Sequence, residues 1–274
     1  MSLSKLNGIK KIGLIAGNGK FPLLFAKAAR RNGIDVIAVA IKKDTSPWIT
    51  PLVKKVYWLT LKEYSRMFDI FEAEGISKVI MAGQVNPKNL FYKDAGDEAL
   101  KTLLSAIKDK RPDTVFGAVA DKLAERSIEL IDSTLFLEEY LLPGGILTKC
   151  QPDAGILNDI RFGYDMAKKM AGLDIGQTLV VKNGAIVAVE AIEGTDAAIL
   201  RGGKLANGGI VVIKVSKPNQ DMRFDIPVVG PRTIEFLSMV NGKCLAIEAH
   251  RTLMLDREIC VRIADRKRIV IVVV

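Results

Sequence analysis

Carboxylates, cations and amides crowd one stretch of this chain, from Val189 to Pro231. Glu190 is followed by Glu193-Gly194-Thr195-Asp196 and Arg201-Gly202-Gly203. Then come Lys217-Pro218-Asn219-Gln220-Asp221, Arg223, Asp225-Ile226-Pro227 and Gly230-Pro231. Such residue types hold hard cations, meet anions or move protons. Turn formers set them between the strand-like runs Ala185–Ala191 and Gly209–Val215. Charged side chains on loops at strand ends are where sites are usually built. Taken turn by turn, solvated loops account for them slightly better. The density of acid, base and amide groups beside glycines tips the balance toward a site.

His250 is the only histidine, and that narrows the chemistry. It excludes a binuclear phosphoesterase centre built from several His and Asp ligands, and a three-His zinc site. Any metal would be a hard cation held by carboxylates, phosphate and water, as Mg²⁺ prefers. A Ser-His-Asp triad would need His250 as its base, and no GxSxG elbow accompanies it. His250 itself reads as a buried or partnered structural residue. The three cysteines, Cys150, Cys244 and Cys260, lack CxxC spacing and read as the reduced thiols of a cytoplasmic protein. Cys150, beside Gln151-Pro152, could line a domain junction, but nothing marks it as a nucleophile. The formal net charge of +9 suits an anionic partner: a nucleotide, a phosphorylated metabolite or an acidic membrane face. No basic run interleaved with aromatics is present, so nucleic acid is not an expected partner. Residues 1–10 carry no signal-peptide core, and no segment is apolar for long enough to span a bilayer.

The elements that must position these groups read as α/β. Lys11–Ala16 is a short buried strand. It runs through Gly17-Asn18-Gly19-Lys20 into an amphipathic helix over Leu23–Asn32, with Pro22 in the first turn. Strand, glycine turn and helix open a nucleotide-binding βαβ unit, whose helix start can hold phosphate. A bare GxG also fits a tight turn with no ligand. The second strand, Asp35–Ile41, ends in Lys42-Lys43 where a dinucleotide site wants an acid, which argues against NAD. Strands over Lys55–Leu61, Lys78–Ala82 and Ser127–Ser133 alternate with helices over Glu63–Glu74, Asp97–Lys110 and Thr114–Arg126, the pattern of a parallel sheet. Gln84 sits just beyond a strand end, followed by the turn Asn86-Pro87. Leu135–Leu142 reads as a short helical piece, and Pro143-Gly144-Gly145 as a linker between domains at 1–142 and 143–274. The second domain is expected to be a mixed α/β unit. It has a helix over Ile156–Leu173 and a hairpin of Gln177–Lys182 and Ala185–Ala191 turning on Asn183-Gly184. Strands over Gly209–Val215, Cys244–Glu248 and Ile269–Val274 and a helix over Thr233–Val240 complete it, with Leu253–Asp256 following the second of those strands.

Taken together, these marks resemble the UDP-2,3-diacylglucosamine pyrophosphatases of the LpxI type. The resemblance runs from Ile12 nearly to the C-terminus. It is carried by Gly17-Asn18-Gly19-Lys20-Phe21-Pro22, Gly83-Gln84-Val85, Asp174-Ile175-Gly176-Gln177 and Val189-Glu190-Ala191-Ile192-Glu193-Gly194-Thr195-Asp196. Lys217-Pro218-Asn219-Gln220-Asp221, Asp225-Ile226-Pro227, Gly230-Pro231 and Glu248-Ala249 before Thr252 and Asp256 add to it. It implies a lipid A pathway enzyme of Gram-negative bacteria. Such an enzyme hydrolyses UDP-2,3-diacylglucosamine to lipid X and UMP with Mg²⁺, using a Rossmann-like N-terminal domain, an α/β C-terminal domain and a site between them. The tail Arg266-Lys267-Arg268 is more basic than the family leads one to expect.

That chemistry needs cations on the phosphoryl oxygens and an aligned water. Lys149, Arg201, Lys217 and Arg223 could supply the cations; Asp196, Gln220, Asp221 and Asp225 could hold Mg²⁺ or orient the water. Asp225 matches the family's catalytic aspartate, with Asp196 and Asp221 beside it as catalytic candidates and Asp221 and Asp225 as metal ligands. Gly17, Gly19, Lys20, Gln84, Glu193 and Thr195 join the four cations and Gln220 as substrate-binding candidates. Thr195 or Asp196 could instead cap a helix through Arg201. A homodimer and a peripheral contact with the inner membrane are further expectations. The competing readings are a nucleotide-binding oxidoreductase and a non-catalytic lipid or nucleotide carrier.

Overall fold

A computed structural model describes residues 8–85 and 96–274. The Asn86-Pro87 turn and most of the N-terminal segment discussed above lie outside the described residues. The chain divides into two compact units. Unit 1 comprises the chain up to Glu138 and, from far along the sequence, Asp221–Asp225; unit 2 comprises Glu139–Gln220 and Ile226–Val274.

Unit 1 is built on β1 (Lys11–Ala16), α1 (Phe21–Arg31), β2 (Asp35–Ile41), β3 (Lys55–Leu59), α2 (Tyr64–Ala73), β4 (Lys78–Ala82), α3 (Glu98–Ala106), α4 (Pro112–Ala124) and β5 (Glu129–Leu130). The five strands form one parallel sheet in the order β3-β2-β1-β4-β5. This is the Rossmann-like order, which reverses direction between β1 and β4. Its strands are near-continuous Val, Ile and Ala because helices cover the sheet. The core gathers Ile37, Phe68, Phe71, Val79 and Leu123, and with them Phe224.

Unit 2 contains β6 (Gly145–Ile146), α5 (Ala154–Gly172), β7 (Thr178–Lys182), β8 (Ala185–Val189), α6 (Thr195–Leu205), β9 (Val211–Lys214), β10 (Val228–Val229), α7 (Pro231–Met239), β11 (Cys244–Ile247), β12 (Leu253–Met254), α8 (Arg257–Lys267) and β13 (Val270–Val273). A six-stranded mixed sheet runs β6-β13-β11-β9-β7-β8. β9, β11 and β13 are mutually parallel, whereas β7 is antiparallel to both β9 and β8. The period-two alternation of each strand gives the sheet two apolar faces. Val180, Val212, Leu245 and Ile271 meet Ile199 of α6, Ile234 of α7 and Cys260 of α8. Leu179, Val211, Ile213 and Val272 meet Ile160, Ala167 and Met170 of α5. The hairpin turn at Asn183-Gly184 takes the left-handed angles φ 50° and 73° that its sequence favours. The Asp159 carboxylate accepts both turn amides, at 2.9 and 2.6 Å.

Several elements depart from the sequence reading. The expected strand Ser127–Ser133 shrinks to Glu129–Leu130, because Ser127 turns left-handed at φ 59° after α4 and Ser133 is drawn toward Met222. Leu135–Leu142 contributes only a 3₁₀ turn at Glu138–Tyr140. The supposed linker enters the sheet: Gly145 and Ile146 pair with Val273 and Val272. Helix α8 was not foreseen, since only Cys260 and Ala264 face inward among charged neighbours. Thr195 opens α6 rather than capping it; the N-cap position is Gly194. His250 is exposed, with φ 57°, and its backbone amide donates to Leu142 O at 2.9 Å.

The reversal point between β1 and β4 is closed by backbone. Gly17 N donates to Ala82 O at 2.8 Å, Asn18 N to Gln84 O at 2.7 Å and Gln84 N to Asn18 O at 3.2 Å. A Cβ on Gly83 would overlap the Asn18 carbonyl oxygen at a φ of +85°, while Gly19, at φ +91°, has open space around it. Gly19→Ala should therefore cost about 1–2 kcal/mol for the left-handed backbone, and Gly83→Ala about 2–5 kcal/mol once overlap is added. Urea unfolding of the two variants checks this; equal midpoints would show that the β1–β4 lock is not needed.

Candidate functional site

In unit 1 two carboxylates converge. Asp113 stands in the first turn of α4, which Pro112 starts without losing a needed N–H. Phe116 lies one turn further along the same helix face. Its ring sits 5.7 Å from that of Phe224, which is 5% exposed. Asp225 follows Phe224 with a left-handed φ of 55°. The outcome is one oxygen each of Asp113 and Asp225 within 4.8 Å of one another. The segment leading to them is tied to itself. Asp221 accepts from Arg223 N at 3.0 Å, and the guanidinium grips both carboxylate oxygens at 2.7–3.0 Å. Burial raises the Asp221 carboxyl, but these Arg223 hydrogen bonds outweigh it and hold it below its ordinary range. Gly17 and Gln84 belong to the β1–β4 lock and Gly19 and Lys20 directly follow its first strand exit, with the Gly19, Lys20 and Gln84 positions exposed.

Unit 2 has its own polar edge, where β8, β9 and β11 end and β7 begins. Lys214, 6% exposed, donates to Thr195 Oγ1 at 2.7 Å and to Thr178 Oγ1 at 3.3 Å, and stands 3.8 Å from Glu190 Oε2. Thr195 in turn donates to Glu190 Oε1 at 2.8 Å. Asp196 beside it pairs with Arg232 Nε at 2.8 Å. Burial raises the Asp196 carboxyl above its ordinary range, against the pull of Arg232 and Lys214. Lys217 and Asp174 form a buried pair at 2.6 Å, and the Lys217 amide donates to Gln220 Oε1 at 3.1 Å. Glu248 accepts from Lys168 at 2.8 and 3.0 Å and from the Ser216 amide and hydroxyl at 2.6 and 2.8 Å.

With this geometry in hand, comparison with known proteins is informative. Models of the LpxI N-terminal domain and the LpxI C-terminal domain match residues 11–140 and 143–272. The chain belongs to the LpxI family. A relative from Caulobacter vibrioides, named UDP-2,3-diacylglucosamine pyrophosphatase LpxI, is 30% identical over 267 residues, covering 94% of this chain and 95% of its own. Among solved structures, Rhizobium etli pyruvate carboxylase T882A with acetyl coenzyme A is 12% identical, covers 63% of this chain and 15% of its own, and has a TM-score of 0.30. Leucoanthocyanidin reductase from Vitis vinifera with NADPH is 12% identical, covers 54% and 41%, and scores 0.28. This chain thus spans less than half the length of either, and likenesses this low carry no argument.

In this LpxI-family chain the sequence-predicted residues fall into groups. Asp225, Asp221 and Arg223 share one segment of unit 1, but Asp221 faces Arg223, and Asp113 is the acid beside Asp225. Glu193 and Arg201 pair at 2.6 Å. Burial raises the Glu193 carboxyl, but the Arg201 hydrogen bond leads the contacts that bring it below its usual range. Lys149 is exposed, and its amide donates to Asp265 at 2.8 Å. Asp113, Asp174, Lys168, Lys214 and Arg232 were given no role from sequence. A lysine closing the apolar run Val211–Lys214 was the signal for one of them, whereas Asp113 reads as an ordinary helix-start acid. The Asp113–Asp225 pair fits a hard cation, because both donors are carboxylate oxygens. A hard cation such as Mg²⁺ commonly keeps water and substrate oxygens in its shell.

Glu248 provides a pH test. Burial raises its carboxyl, but the hydrogen bonds from Lys168 and Ser216 outweigh this and the net shift is downward. A depressed folded value contributes stability above the unfolded value of about 4.3, lost as pH falls through the folded one. The Tm gap between the parent and Lys168→Met should therefore be widest near neutral pH and narrow below about pH 4. A gap constant with pH would show that Lys168 does not hold the Glu248 charge.

Proposed function

We propose that this chain hydrolyses the pyrophosphate bond of UDP-2,3-diacylglucosamine to give UMP and 2,3-diacylglucosamine 1-phosphate, lipid X, in lipid A biosynthesis. The observation that carries this reading is the end-to-end match with a pyrophosphatase of that name, over 94% of this chain. The convergence of Asp113 and Asp225 supports it, since hydrolysis of a diphosphate needs hard-cation or general-base carboxylates at one point. Water's oxygen joins one phosphorus, the bridging P–O bond breaks, and a water proton leaves toward a carboxylate. Asp225 is the residue proposed to orient that water and take the proton, with Asp113 sharing the charge. Bound Mg²⁺ would neutralise the diphosphate oxygens. Arg223, held by Asp221, presents a cation on the segment that carries Asp225. Lys214, Lys217 and the Asp196–Arg232 pair are candidate substrate-binding groups of unit 2.

Two further elements belong to this reading. The ion is expected to bind weakly to the free protein and mostly with substrate, because Mg²⁺ commonly relies on substrate phosphates. Work at the inner membrane surface from the cytoplasm would suit an acylated substrate and a net charge of +9. Among the described residues no helix is long and apolar enough to cross a membrane.

The test is UMP release from UDP-2,3-diacylglucosamine by the purified chain, with Mg²⁺ and with EDTA. Release should stop with EDTA and return with excess Mg²⁺. Asp225→Asn should lower kcat by about 100-fold or more with KM little changed, and Asp113→Asn by about 10-fold or more. Binding of the substrate without UMP release by the parent would favour a carrier. Folded Asp225→Asn enzyme turning over at the parental rate would make Asp225 a turn residue.

A further inference from the structure

Ser133 has no exposed surface. Its hydroxyl lies 2.6 Å from the carbonyl oxygen of Met81 in β4 and within hydrogen-bond reach of the carbonyl of Arg223. Its amide donates to Met222 O at 2.8 Å. A single residue, three positions past β5, thus grips two successive peptides of Asp221–Asp225 and ties them to the carboxyl end of β4. The grip is itself held rigid. Asp132 accepts from the Thr134 amide at 2.8 Å and from its hydroxyl at 2.6 Å, and Leu137 N donates to Thr134 O at 2.8 Å. Asp225, two residues beyond Arg223, is left-handed at φ 55°, a conformation uncommon for a residue other than glycine but accessible to aspartate.

We propose that Ser133 is a positioning residue for Asp225. By fixing the backbone at Met222 and Arg223 it sets where Phe224 enters the core and where the Asp225 carboxylate stands relative to Asp113. The hydroxyl matters more than the residue's volume. It has one proton for two carbonyl acceptors, so its removal leaves both part-buried carbonyls without that donor and unpins the segment from β4. The Phe116–Phe224 contact still anchors the segment, so the chain keeps its fold while the carboxylate loses its fixed place. The inference rests on the reading of Asp225 given above.

The experiment uses the full chain and UDP-2,3-diacylglucosamine with Mg²⁺. Ser133→Ala, Ser133→Cys and Asp225→Asn are compared with Val36→Ala, a core truncation in β2 that should destabilise without touching the segment. Ser133→Ala should lower kcat about ten-fold or more, leave KM within about three-fold, and raise the Mg²⁺ concentration for half-maximal activity, since a loosened group costs transition-state stabilisation first. Ser133→Cys retains a side-chain donor, though a weaker one on a larger atom, and its kcat should also fall. If both fold and act like Val36→Ala, with losses that track only the folded fraction, the inference is wrong. If Asp225→Asn is inactive while Ser133→Cys turns over at the parental rate, the inference alone fails. If Asp225→Asn is fully active, the reading of Asp225 fails and this inference with it.

Discussion

The ring of Phe224 lies 5.7 Å from Phe116 inside the core of unit 1, although the chain on either side of Asp221–Asp225 belongs to unit 2. Burying a phenylalanine is worth roughly 1.5–3 kcal/mol, and emptying such a site costs about 3–5 kcal/mol. That one burial commits its neighbours. Arg223 must turn back onto Asp221, Ser133 can reach two backbone carbonyls, and Asp225 is delivered to the start of α4 in a left-handed conformation. Since Phe116 and Asp113 share a helix face, packing of the two rings also aligns the two carboxylates.

Unit 2 handles charge by pairing it. Lys214 with Glu190, Lys217 with Asp174 and Lys168 with Glu248 all bring a lysine into contact with a carboxylate where the sheet ends. Desolvating such groups costs several kcal/mol per ion, which is recovered only when geometry and extra hydrogen bonds are good. For Lys214–Glu190 and Lys168–Glu248, threonine and serine hydroxyls supply extra bonds. The pairs are weak evidence for stability but strong constraints on shape, because removing either partner leaves a buried charge alone. The first turn of α6 is thereby held to β9, and the loop that carries Lys217 to the segment that follows α5.

The glycine-rich opening illustrates how a fingerprint can serve structure first. Gly17 and Gly83 let two strand exits cross close enough for Asn18 and Gln84 to exchange backbone hydrogen bonds. The resulting lock spans the place where the strand order reverses, and it brings two of the predicted binding motifs together with no ligand needed to explain them.

By itself the sequence determined the α/β class, the parallel character of the first sheet and the hairpin at Asn183-Gly184. Each follows from local rules: apolar period, turn chemistry and motif spacing act over a few residues and are written in consecutive letters. Helix α8 escaped because a surface helix with two small inward residues leaves almost no periodic trace. The edge strand Gly145–Ile146 escaped because glycine next to proline reads as a linker until a partner strand is present. Only the tertiary structure decided that Asp113 stands beside Asp225, that Lys214 and Thr195 share a hydrogen-bond network with Glu190, and that Ser133 reaches the carbonyls of Met81 and Arg223. Those contacts join residues far apart in the chain. They arise from the burial of Phe224 and of paired charges, and a linear pattern does not record which distant partner will fill a given hole in the core.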